Sequence, residues 1–79
     1  MKVQVLGPGC AKCNALAENA KKAVAMAGVD AEVVKVTEAA EIESFGVLLT
    51  PGLAIDGVVK SAGKVVAPEQ IARWLKEDG

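Results

Sequence analysis

A junction carrying two cysteines two residues apart limits what this chain can become more than anything else in it. In Gly7-Pro8-Gly9-Cys10-Ala11-Lys12-Cys13 a Val-rich run ends in a turn, and a long helical pattern begins at the first sulfur. One helical turn between the cysteines brings their Cα atoms to roughly 4.4–6.8 Å, the span of a disulfide, so the pair can exist as a dithiol or as a disulfide. At a helix start the Cys10 sulfur meets unpaired backbone N–H groups and the positive end of the peptide dipoles, both of which favour an anion. A free thiol is only about 3% ionised at pH 7, so stabilising the thiolate enlarges the reactive fraction. The chain has no histidine. The helix start is therefore expected to carry most of the activation, with Lys12 as a lesser tuning group.

Hydrophobic periodicity arranges the rest around this junction. Residues 2–6 read as a strand bounded by Gly-Pro-Gly. Cys13, Leu16, Ala17, Ala20, Ala23, Val24 and Ala27 then recur at steps of three and four. That stripe puts Cys13 on the buried face of a helix and leaves Asn14, Glu18, Lys21 and Lys22 outside, with Glu18 and Lys22 as an i,i+4 pair and Gly28 as the C-cap. Residues 31–36 form a second strand, parallel to the first through a right-handed crossover. Thr37 is expected to cap a short acidic helix over 38–45, closed by Phe45 and stopped by Gly46. Beyond Val47-Leu48-Leu49 and Thr50-Pro51, strands over 53–55 and 58–60 flank Asp56-Gly57, a strong hairpin signal. Pro68 follows Gly63 and opens a last helix with Ile71, Ala72 and Leu75 buried and Trp74 half-buried. The order strand-helix-strand-helix-strand-strand-helix implies an α/β layered fold, one domain over 1–79.

Composition narrows the function classes. With 52% hydrophobic residues but only 3% aromatic ones, the core must be built from small aliphatic side chains packed closely. A net charge of −1, a pI near 5.3 and a single arginine, Arg73, leave no basic stripe for nucleic acid or anionic lipid. Residues 1–8 are too short and interrupted for a secretory apolar segment, and no later run approaches membrane-spanning length, so a cytoplasmic location is expected. In a reducing compartment a lone CxxC serves catalysis or metal binding rather than structure. Closing a four-residue loop also stabilises by only ~1.9 kcal/mol in the chain-entropy model, against about 3 for fifteen residues.

Taken together, strand-GPGCAKC-helix, Thr50-Pro51 before the third strand, the Asp56-Gly57 hairpin and Gly63 before the last helix resemble the thioredoxin superfamily. Within it the chain is similar to the minimal glutaredoxin-like, redox-active disulfide proteins of archaea and bacteria, over nearly its whole length. The resemblance implies a minimal thioredoxin-like fold with a four-stranded mixed sheet and helices on both faces. It implies that Cys10 attacks a substrate disulfide and Cys13 resolves the mixed disulfide, that the Thr50-Pro51 bond is cis, and that Gly9, Thr50, Pro51 and Gly63 contact the substrate strand. The function so implied is a thiol-disulfide oxidoreductase with no cofactor and no metal. Its partners are disulfide-containing proteins and a separate reductase as electron donor, with no nucleic acid, no membrane and a monomeric state. The chain departs from the larger thioredoxins in having Gly9 where they carry tryptophan, and Gln4 and aliphatics in the strand where they carry a buried aspartate. Ser61-Ala62-Gly63-Lys64 does not match the glycine-acid pair with which glutaredoxins hold glutathione.

A second reading uses the same two thiolates for a soft ion. Small copper and heavy-metal chaperones also set a CxxC between a first strand and a first helix, but they close with a strand and carry a methionine two residues before the first cysteine; this chain has Pro8 there and ends in a helical pattern. Structural zinc needs two more ligands, and there is no histidine or third cysteine. Gly7-Pro8-Gly9 is a turn rather than a nucleotide loop, since the spaced glycines and the following Lys-Ser/Thr are missing. No arginine shortly follows Cys10, which excludes an arsenate-reductase or cysteine-phosphatase loop.

Overall fold

Residues 1–78 are described by a computed structural model; Gly79, the last residue of the domain expected over 1–79, lies outside the described residues. The elements are β1 (Lys2–Leu6), α1 (Ala11–Ala27), β2 (Glu32–Val36), α2 (Ala39–Ser44), β3 (Gly52–Ile55), β4 (Val58–Ala62) and α3 (Pro68–Asp78). They form one four-stranded sheet in the order β2-β1-β3-β4. β1 runs parallel to β2 and antiparallel to β3, and β3 antiparallel to β4. This is the α/β order read from the sequence.

Side-chain alternation divides the core in two. Val3 and Val5 of β1 and Leu53 and Ile55 of β3 point to one face, where Leu16, Ala17, Ala20 and Ala23 of α1 and Ile71, Ala72 and Leu75 of α3 cover them. The alanine stripe lets α1 lie close to the sheet, so few large side chains are needed to fill the layer. On the opposite face Leu6 and Val36 pack with Ile42 of α2 and Val47, and Phe45 leans on the same cluster. Helices therefore cover both faces, two on one and a single short one on the other.

The hairpin after β3 closes as its two residues demand. Asp56 and Gly57 have φ of 49° and 86°, a turn that needs positive φ at both positions and suits Asp-Gly. Asp56 Oδ1 also accepts from the Lys2 N–H at 2.7 Å, and Gln4 Oε1 accepts from the Gly57 N–H at 2.8 Å, fastening the turn to β1. Beyond it Leu53 pairs with Ser61 and Ala54 with Val59, so Lys60 is a bulge residue that bends this edge strand.

Three local expectations are corrected. Glu38, not Thr37, is the residue before α2, and no side chain caps that helix; acidic Glu41 in its first turn complements the dipole instead. Glu18 pairs with Lys21 at 3.6 Å rather than with Lys22, because the i,i+3 neighbour is equally near on an exposed helix face. β2 begins at Glu32, since the parallel register starts with Lys2 opposite Glu32. Gly28 does end α1 in the left-handed region, its N–H bonded to the Val24 carbonyl at 3.1 Å.

Candidate active site: a dithiol at the start of α1

Cys10 is the N-cap residue of α1, in extended backbone, and its sulfur accepts from the Cys13 N–H at 3.4 Å. Its carbonyl accepts from the Asn14 N–H, beginning the helical ladder. Cys10 is exposed, whereas Cys13, one turn into the helix, is 4% exposed. Both are free thiols, and their sulfurs lie 2.7 Å apart. The one-turn spacing has placed one sulfur in solvent and the other beneath it.

The same contact moves the two acidities in opposite directions. The Cys10 thiol is held below its ordinary value first by the hydrogen bond from the Cys13 side chain, then by the Cys13 backbone N–H, with smaller help from the N–H groups of Lys12 and Cys10. The Cys13 thiol is pushed up first by burial and then by giving its hydrogen bond to Cys10. The contact thus favours the anion at the exposed sulfur and keeps the proton on the buried one. The neighbouring thiol, rather than the helix start alone, is the first cause of activation. Lys12 contributes through its backbone N–H.

Around the sulfurs the other residues take distinct places. Thr50 and Pro51 are joined by a cis peptide bond; Thr50 is exposed and Pro51 buried. The Gly63 N–H bonds the Pro51 carbonyl at 2.8 Å, and Gly63 has φ 84°, so this glycine fixes the loop that presents Thr50. Gly9 has φ 95°, with open space where a side chain would project. Thr50 also lines a cleft of about 320 Å³ with Pro8, Thr37, Ile42, Val47 and Leu48. A larger groove of about 450 Å³ is lined by Met26 and Arg73; Met26 lies sixteen residues along α1 from Cys10, on the order of 24 Å away, so the smaller cleft, which includes Pro8 and Thr50, is the one nearer the cysteines.

Two features at the site went unread in the sequence. Leu48 is 97% exposed and Leu49 66%, although their apolar run reads only as the approach to Thr50-Pro51. Gly7, which reads as turn punctuation, is buried, and a Cβ built on it would collide with Cys13 Sγ. Gln4, the polar residue of β1 nearest in sequence to the cysteines, accepts the Gly57 N–H at the hairpin through its amide oxygen.

Comparison with known proteins gives the family. The family model described as a thioredoxin domain covers residues 1–76. The chain belongs to the thioredoxin family. A thioredoxin of Methanocaldococcus jannaschii is 47% identical over 74 residues, which is 94% of this chain and 85% of that protein. A thioredoxin of Methanothermobacter thermautotrophicus is 44% identical over 75 residues, 95% of this chain and 97% of that protein. The activity is that of a thiol-disulfide oxidoreductase. Closure by helix α3 rather than a strand sets the fold apart from the copper chaperones, and among the described residues no three Cys, His, Asp or Glu side chains gather to hold a metal ion.

Proposed function

We propose that this protein reduces disulfides in other proteins by dithiol-disulfide exchange through Cys10 and Cys13. The observation that carries the reading is the asymmetric pair: an exposed sulfur of lowered pKa 2.7 Å from a buried sulfur of raised pKa. The Cys10 thiolate attacks one sulfur of the substrate disulfide, forming a mixed disulfide and releasing the other substrate sulfur as a thiolate. Cys13 then loses its proton and attacks the Cys10 sulfur, forming the Cys10–Cys13 disulfide and releasing the second substrate thiolate. Two electrons have passed to the substrate, and a separate reductase returns two to the protein. Thiolate attack depends on the ionised fraction, which is why the exposed member must be the anion.

Thr50, Pro51, Gly9 and Gly63 are the proposed binding rim, with the Thr50 backbone as an edge on which an extended substrate segment pairs. Exposed Leu48 and Leu49 supply apolar contact beside that edge. No helix among the described residues is long and apolar enough to cross a membrane, and we place the protein in the cytoplasm as a monomer that needs no bound cofactor. The test is turnover of a disulfide-bonded protein with a small-molecule dithiol as regenerant, with metal content measured on the same sample. Turnover by wild type and its loss in Cys10→Ser support the proposal. An inactive protein carrying one equivalent of copper or zinc on its two thiolates overturns it.

A further inference from the structure

We propose that Gly7 is a positioning residue for the cysteine pair: its missing side chain is the seat that sets the Cys13 sulfur against Cys10. A Cβ at residue 7 would fall on Cys13 Sγ, 3.2 Å from Cys13 Cβ and 3.8 Å from Thr50 Cβ. The Thr50 distance is an ordinary contact, so the sulfur is the principal obstacle. Backbone conformation does not require glycine here. The left-handed glycines are Gly9, Gly28, Gly46, Gly57 and Gly63, and Gly7 is not among them, so alanine would suit its φ.

Gly7 is also unable to yield. Its N–H bonds the Val36 carbonyl at 2.9 Å, extending the β1–β2 ladder one residue past the strand, and it is buried. A side chain would therefore displace the sulfur rather than the strand end. Cys13 is the third residue of α1 and its N–H donates to Cys10 Sγ at 3.4 Å, so with its backbone held there its own Sγ leaves by rotating about χ1, which takes it from its 2.7 Å approach to Cys10. With that approach lost, Cys10 loses the hydrogen bond that comes first in holding its pKa down.

The experiment follows Cys10 alkylation against pH in wild type, Gly7→Ala and Leu75→Ala, and the stability of Gly7→Ala in wild-type and Cys13→Ala backgrounds. Gly7→Ala is expected to move the midpoint of the Cys10 profile to higher pH, slowing the reaction at pH 7 by up to about tenfold for each pH unit of movement. Leu75→Ala, a core truncation in α3, must leave that midpoint in place, which separates positioning from general loosening. In the Cys13→Ala background the sulfur is gone, and Gly7→Ala should cost much less stability than in wild type. If Gly7→Ala does not fold but Gly7→Ala/Cys13→Ala does, the seat is likewise established. An unmoved Cys10 midpoint in a folded Gly7→Ala, an equal stability cost in both backgrounds, or failure of both to fold would overturn the proposal.

Discussion

At the scale of single residues, the two cysteines differ because one caps a helix in solvent and the other lies under it. As pH rises, Cys10 reaches its thiolate form first, its pKa being lowered, and Cys13 last, its pKa being raised by burial. Alkylation near neutral pH is therefore expected to modify Cys10 well before Cys13, and equal rates would refute the assignment. Replacing Cys13 with alanine removes the side-chain hydrogen bond that does most to lower the Cys10 pKa, so the Cys10 alkylation midpoint should move upward toward that of an ordinary thiol. The spacing and the helix pattern made this pair legible in the sequence, including which sulfur is buried. What they left dark was the source of the activation. A side-chain contact between two sulfurs depends on the rotamer of Cys13, and that depends on the absence of a Cβ at Gly7, a residue three positions before the motif. Leu48 illustrates a further limit: an apolar residue in a short run looks the same whether the loop buries it or holds it 97% exposed. Leu48→Ser should raise KM for a protein disulfide while leaving the Cys10 alkylation profile unchanged.

At the scale of elements, the sequence was most informative where a local rule has one solution. Asp56-Gly57 can hardly close a two-residue hairpin other than with positive φ at both positions, and both are observed. Gly57→Ala would force a β-carbon into that region at roughly 1–2 kcal/mol. Chemical denaturation should show a loss of that order with disulfide reduction retained, since the turn lies at the opposite end of β3 from Thr50-Pro51. Helix α3 was equally legible, with Pro68 at its first position and Ile71, Ala72 and Leu75 buried in the expected stripe; truncating Leu75 to alanine should cost about 2–5 kcal/mol. Trp74 packs on the larger core from that helix, a cluster that does not include the cysteines. Its fluorescence is expected to change little between the dithiol and disulfide forms, and a large change would place the final helix wrongly. Thr37 does not cap the helix: a cap is worth about 0.5–2 kcal/mol, and the chain instead enters the six-residue helix one residue later, with Glu38 before it.

At the scale of the whole molecule, the sheet order β2-β1-β3-β4 brings the C-terminal end of β1, the start of α1 and the loop before β3 to one end of the sheet. Parallel pairing of β1 with β2 follows from the helix between them, whereas the neighbour of β1 on its other side is β3, a pairing between residues some fifty apart in sequence such as Val3 and Ile55. Periodicity within a segment carries no signal for that contact. The resemblance to thioredoxins implied a four-stranded mixed sheet without its strand order, so this contact comes from the structure alone; it is the pairing that brings Thr50 and Pro51 beside the end of β1. On the proposed mechanism, the fold holds in place a two-electron exchange that starts at Cys10 and ends at Cys13. The measurement that tests this most directly is trapping. Cys13→Ser, mixed with a disulfide-bonded protein, should accumulate a covalent complex located by mass spectrometry at Cys10, released by an added dithiol, while Cys10→Ser should accumulate none. A complex attached at Cys13 in the Cys10 variant, or no complex from the Cys13 variant, would contradict the account.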